Sequence, residues 1–291
     1  MNISTFVPAS TRLRPDPAKT IEKGLELGQD PVQQDLFAVS TAISGVKNAA
    51  EFSDLGKARG SDSWQKGAYA IAASLTGSAA TGLSLLQSVE ELFADPIARG
   101  FFGVAGGLAG SSELGHLKDT TTGFGASHVE NGILGVAAAV AGPEGASEAI
   151  QVGLSEGQNS REGAYFALAT AVAGGAQGVG IALQVAGDFA SAPELTGPYA
   201  VAASLAGRED AVSVLRMAED MGQTNSEKAA FSLVGALVGV ERAPGFVRMS
   251  RAMSPAEAQI PRLAVAAALT GSQANAKEAA VAAALSLGLD S

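Results

Sequence analysis

The chain contains no cysteine, which excludes disulfides and thiolate metal sites. Two histidines in 291 residues leave little for imidazole chemistry. Charged residues make up 16% of the chain, and basic ones are the scarcer sign: 19 Lys and Arg against 29 Asp and Glu, a formal net charge of −10. Nucleic-acid phosphates need a basic face, so DNA and RNA are excluded as expected partners. The opening MNISTFVPASTRLRPDP lacks the apolar core of a secretory signal. Its Ser, Thr and Pro content predicts disorder. The expected compartment is therefore the cytoplasm. The alternative is secretion without a classical signal peptide, because flexible Ser/Thr-rich starts occur in substrates of specialised bacterial secretion systems.

Charge is also unevenly distributed. Residues 1–66 and 208–291 are nearly balanced, whereas 67–207 hold 3 basic and 12 acidic side chains in 141 residues. That is sparse for a water-exposed surface, so part of this region is expected to be covered or to contact a partner.

What the chain has in quantity is small residues, and they recur with a period. FAVSTAISG, YAIAASLTG, FGVAGGLAG, LGVAAAVAG, FALATAVAG, YAVAASLAG, FSLVGALVG and LAVAAALTG begin at Phe37, Tyr69, Phe102, Leu134, Phe166, Tyr199, Phe231 and Leu263, spaced by 32 or 33 residues. Each ends in glycine: Gly45, Gly77, Gly110, Gly142, Gly174, Gly207, Gly239 and Gly271. Internal recurrence of this length is the signature of a stacked repeat.

Large residues at positions 1, 3 and 7 could mimic a strand, but the flanks predict a helix. About seven residues before each anchor stands an N-cap type: Asp30, Asp62, Asp95, Ser127, Asn159, Ser191, Thr224 and Ser254. Glu or Gln follows three residues after all of them except Asp95, the capping-box pattern. Proline directly follows Asp30, Asp95 and Ser254, where a missing N–H is harmless. The recurrent glycine is expected to end the helix in a left-handed conformation. Positions 3 and 7 lie about 40° apart on a helix and position 1 lies well away from them. Such a helix is apolar all round and belongs in an interior. A second, amphipathic helix follows each glycine, as in AVSVLRMAEDMG (211–222).

The expected fold is all-α: a right-handed-type α-solenoid of eight tandem helix–turn–helix repeats over 30–291, starting near 30, 62, 95, 127, 159, 191, 224 and 254. Residues 1–29 form a disordered N-terminal tail, with TIEKGLELG (20–28) as a short capping helix. Ankyrin, tetratricopeptide and HEAT arrays share this unit length and hairpin. The ankyrin TPLH tetrad and the tetratricopeptide tryptophan pattern are absent, so the sequence supports the architecture and no named family. The last helix, KEAAVAAALSLGLDS, is too apolar for a solvated end. It requires a second copy, closure of the array on itself, or a partner, and self-association through the C-terminal repeat is expected.

Catalytic motifs fail on inspection. GSAATGLS (77–84) has leucine where a P-loop needs lysine. GLSEG (153–157) places Ser155 as an elbow nucleophile, but no histidine follows residue 128. His116, Asp119 and His128 bracket HLKDTTTGFGASH without a metal-ligand spacing, so no metal and no cofactor are expected. The threonines and glycines of this stretch weaken its helix and predict a more mobile loop or a widened groove. Arg242, Arg248, Arg251 and Arg262 form a local basic cluster, read either as a solvated face or as a docking patch for an acidic partner or anionic lipid. Met217, Met221, Met249 and Met253 sit at i, i+4 and suit core filling. Gly163–Gly187 and Gly67–Val89 are uncharged and long enough to span a bilayer, and FGVAGGLAG has GxxxG spacings. The terminator glycine in mid-run predicts two short helices instead.

The function expected is non-enzymatic: a scaffold or adaptor presenting a concave solenoid surface to a protein or peptide, with repeats 2 to 5 as the contact region. The alternative is a membrane-active or secreted protein whose Ala/Gly hairpins insert into a bilayer.

Overall fold

The computed structural model describes residues 16–272 and 274–289, and these are all-helical, with helices packed in sequence-adjacent pairs. The helices are α1 (Pro17–Leu27), α2 (Pro31–Ser44), α3 (Ala49–Arg59), α4 (Ser63–Leu75), α5 (Ala79–Leu92), α6 (Pro96–Ala109), α7 (Leu114–Thr121), α8 (His128–Glu156), α9 (Ser160–Ala173), α10 (Ala176–Phe189), α11 (Pro193–Ala206), α12 (Ala211–Met221), α13 (Asn225–Val238), α14 (Ala243–Met253), α15 (Ile260–Ser272) and α16 (Ala276–Gly288). Helix α8 bends at Gly142 (φ 77°, ψ 173°), which divides it into two limbs.

Most of the helix starts follow the sequence pattern. Asp30, Asp62, Asp95, Ser127, Asn159 and Thr224 each accept a backbone N–H of the first turn. Two expected caps do not. Ala192 occupies the N-cap of α11, and Ser191 turns to Glu219. Ser254 ends α14, and a 3₁₀ turn (Glu257–Gln259) leads into α15. The capping boxes also differ from expectation. Only Ser127–Glu130 is reciprocal among the expected set. Gln65, Glu162 and Glu227 instead reach one residue further back, to the N–H groups of Ser61, Gln158 and Gln223 at 2.8, 2.6 and 2.8 Å.

The glycine terminators hold, with a change of conformation. Gly45, Gly110, Gly142, Gly207 and Gly239 combine φ of 77–103° with ψ of 148–173°. This region is accessible essentially only to glycine, which explains why Asn never replaces it. Gly174 shows the left-handed helical pair, φ 79° and ψ 27°, and Gly77 also has a positive φ of 76°. Gly271 is a correction: it lies inside α15, and a Cβ there would come within 2.5 Å of the Phe246 ring. Its smallness serves packing, not chain reversal.

The apolar helices form a closed circuit. Helix α2 packs on α4, α4 on α6, α6 on α8, α8 on α9, and then α11, α13 and α15 follow, with α15 returning to α2. Each is covered on its outer side by a half-exposed helix. Helix α1 completes the outer layer, lying against α2 and α15 between α14 and α3. It buries Ile21 fully, and Gly24 allows the closest approach: a Cβ there would sit 2.4 Å from Cα of Ala38.

The C-terminal helix fills the inside of this circuit. Helix α16 touches α2, α4, α6, α8, α13 and α15, and every residue from Ala279 to Gly288 is buried. That accounts for the nonapeptides. In YAVAASLAG, Tyr199, Ala200, Val201, Ala202 and Ala203 are at most 2% exposed. These helices meet neighbours on two sides and an outer helix on the third, and α2, α4, α6, α8, α13 and α15 also meet α16, so side chains must be small on several faces. It also corrects two expectations. The inner concave face is occupied by the chain's own α16, and the apolar C-terminal helix is satisfied without a second copy.

Candidate functional site

The regular pattern breaks at α7, and the break opens a depression. Helix α7 spans eight residues, where the other outer helices have eleven or more. It stops at Thr122 (φ −61°, ψ 126°), and Gly123 follows with φ 88°. Asn131 pins the loop: its Oδ1 accepts from Gly125 N–H at 3.0 Å and its Nδ2 donates to the Gly125 carbonyl at 3.1 Å. The missing turn of helix leaves a groove of about 690 Å³ between the end of α5, the start of α6, α7 and the start of α8. The widened groove expected from HLKDTTTGFGASH is present.

Phe93 and Phe102 stack with centroids 4.2 Å apart and form its apolar wall. Lys118 Nζ lies 5.5 Å from the Phe93 centroid and donates to the Leu92 carbonyl at 2.9 Å. Arg99 Nε donates to the Phe93 carbonyl at 2.6 Å. Both cations thus complete the C-terminus of α5, where carbonyls lack helical partners and the helix dipole is negative. On the opposite rim, exposed His128 stands 3.7 Å from Asp95, whose Oδ1 caps α6 through Ile97 and Ala98 at 2.9 Å each. His116 is elsewhere. It borders a separate cavity of about 270 Å³ beside the Gly142–Pro143 bend. Among the described residues no three His, Asp or Glu side chains are grouped as metal ligands.

The arginine cluster is taken apart by the fold. Arg262 is 2% exposed, pairs with Asp35 at 3.1 Å and donates Nε to the Ser286 carbonyl at 2.8 Å. It therefore cannot belong to a docking patch. Arg251 bonds Glu227 at 3.1 Å and the Met221 carbonyl at 2.9 Å, and its guanidinium lies over Phe231. Arg242 bonds the Gly271 carbonyl at 3.0 Å and stacks on Phe246. Arg248 is exposed. The four methionines are packed against the core. Ser155 donates to the Val152 carbonyl of its own helix, and Ser78 of the P-loop look-alike caps α5.

No protein-family model, curated protein sequence or solved structure matches the chain. What the chain does must therefore be argued from its own geometry.

Sequence reasoning missed two sets of residues. The first surrounds Glu219. Its Oε1 accepts from Tyr199 Oη at 2.7 Å, from Ser191 Oγ at 2.9 Å and from Ser191 N–H at 3.3 Å, while its Oε2 meets Lys228 at 2.7 Å. Burial pushes the carboxyl upward, but bonds from Lys228, Tyr199 and Ser191 outweigh it and leave the pKa below the usual value. Burial, and then the neighbouring Glu219, push the Tyr199 phenol well up. The available signal was tyrosine in place of phenylalanine at two nonapeptide anchors, since a buried phenol needs a partner. Tyr69 finds one in Gln65 at 3.1 Å.

The second set is a further glycine series: Gly28, Gly60, Gly125, Gly157 and Gly222. A Cβ on any of them would come within 2.4–2.8 Å of the backbone nitrogen six residues later. These glycines have ordinary extended φ or lie in the loop before the next helix, so close approach, not backbone conformation, selects them. Their spacing of 32 or 65 residues, one or two repeats, was legible in the sequence.

Proposed function

We propose that the chain is a non-catalytic scaffold that binds a protein or peptide on its outer surface, built as a right-handed-type array of eight tandem hairpins closed on itself. The recurrent nonapeptides and the pairing of adjacent helices support the array reading. The contact surface differs from the concave face first expected, because α16 occupies the inside.

One observation carries the assignment. The water-facing sides of α5 and α10 hold almost no charge. Ala80, Thr81, Leu83, Ser84 and Gln87 are exposed on α5 and Ala176, Gln177, Gly180 and Gln184 on α10; the exposed charges are Glu91 and Asp188, each in the last turn of its helix. The outer face of a solvated helix normally carries Lys and Glu along its length, so a face charged only in its last turn suits a partner that covers it. Both helices fall in the charge-poor middle of the chain. Among the described residues no helix is long and apolar enough to cross a membrane. The scaffold reading needs no cofactor, and the cytoplasm proposed for it is compatible with the lack of cysteine.

Site-specific photocrosslinking tests this in the cells that make the protein. A photoreactive residue at Leu83 or Gln184 is expected to trap one adduct of defined size. The same residue at exposed Val212 on α12 is not. Equal labelling at all three positions, or none at any, counts against the proposal.

A further inference from the structure

The groove at α7 has a chemistry that the scaffold reading does not use. We infer that it binds a small organic carboxylate with an apolar, preferably aromatic, body. Its volume of about 690 Å³ lies within the range typical of small-ligand sites. The wall of Leu92, Phe93, Pro96 and Phe102 suits the apolar body.

The charge pattern selects the head group. Residues 67–207 contain three basic side chains, and two of them, Arg99 and Lys118, stand at this one place beside the end of α5. Lys118 lines the groove and uses one of its three N–H donors on the Leu92 carbonyl. The remaining donors can meet an anion. His128 lines the other rim and offers a ring N–H as a further donor. Asp95 is the single acid among the lining residues, and its Oδ1 is engaged in capping α6. In a protein of net charge −10, the groove sets one lysine, one histidine and one aspartate around an apolar floor. A carboxylate placed between Lys118 and His128 gains charge-assisted hydrogen bonds that an uncharged analogue of the same shape forgoes.

Titration of the full chain with naphthylacetate and with its neutral amide, naphthylacetamide, tests the inference by calorimetry and by NMR shift mapping. The carboxylate is expected to saturate the protein and to bind about tenfold or more tightly than the amide, the difference of one charge-assisted bond. Lys118→Met is expected to remove that preference. Because Lys118 also caps α5, a second variant accompanies it. Ala94→Trp, at an exposed lining position, fills the groove and is expected to abolish binding without loss of helical circular dichroism. Equal affinity for acid and amide, an unchanged affinity in folded Ala94→Trp, or no saturation at millimolar ligand would each overturn the inference.

Discussion

Arg262 and Asp35 stand 3.1 Å apart at the junction of α15 and α2, joining residues 227 positions apart in the chain. The pair is buried, with side chains 3% and 2% exposed. Around it, Gln259 donates to the Pro31 carbonyl at 3.0 Å and to Gln34 at 3.2 Å, and Thr270 meets Thr20 of α1 at 3.1 Å. The same guanidinium holds the Ser286 carbonyl of α16. One arginine therefore ties the seam of the circuit to the helix that fills it.

Removing one partner should be costly. A buried charge left without its counter-ion typically costs about 3–5 kcal/mol. Asp35→Ala or Arg262→Met is expected to lower the urea midpoint by an amount in that range, and the Asp35→Leu/Arg262→Met double variant to regain much of it. A loss below about 1 kcal/mol for either single change would show that the seam contributes little.

The filling helix should be indispensable to cooperative folding. Arg161 and Ser226 hold the carbonyls of Gly288 and Leu289, so donors from α9 and α13 complete the C-terminal end of α16. Ala283→Asp places a carboxyl in a fully buried apolar position. The expected result is loss of a sharp thermal transition and uptake of a hydrophobic dye. A variant that melts as sharply as the parent would contradict the position of α16.

Two recurrent glycines should fail for different reasons. Gly207 has open space around it but φ 79° and ψ 168°, so alanine costs about 1–3 kcal/mol in backbone strain. Gly271 is helical and limited by Phe246. Phe246→Leu is therefore expected to rescue Gly271→Ala and to leave Gly207→Ala unrescued, as read from denaturation midpoints.

Acid sensitivity follows from Glu219. Its folded pKa lies below the usual 4.5, so its contribution is present above the unfolded value and disappears as pH falls through the folded one. Glu219→Gln is expected to flatten the stability profile below about pH 4.5. Tyr199→Phe retains the ring and is expected to weaken the same limb in part. An unchanged acid limb in Glu219→Gln would remove this carboxylate from the account.

The helices were legible because caps, prolines and glycines act locally: Asp62 and Gln65 announce α4 without knowledge of the rest of the chain. Closure was legible only as one of three remedies for an apolar last helix. Nothing local distinguishes an α16 that meets a second copy from one that enters its own ring. Arg262 misled for the same reason. Beside Arg248 and Arg251 in sequence it resembles a surface cluster, and its partner Asp35 is visible only once α15 meets α2. The groove was legible because poor helix formers such as Thr120, Thr121 and Thr122 shorten α7 directly, whereas the meeting of Lys118 and His128 with the ends of α5 and α6 around it depends on tertiary packing.

The central claim is that the circuit is closed. The absence of native cysteine makes it testable with a single introduced pair, Gln34→Cys and Ala258→Cys, at the seam. Spin labels at these sites should give one narrow distance of roughly 20 Å or less, about two helix diameters. A broad distribution centred beyond ~50 Å, several helix spacings, would mean an open array and would contradict the account.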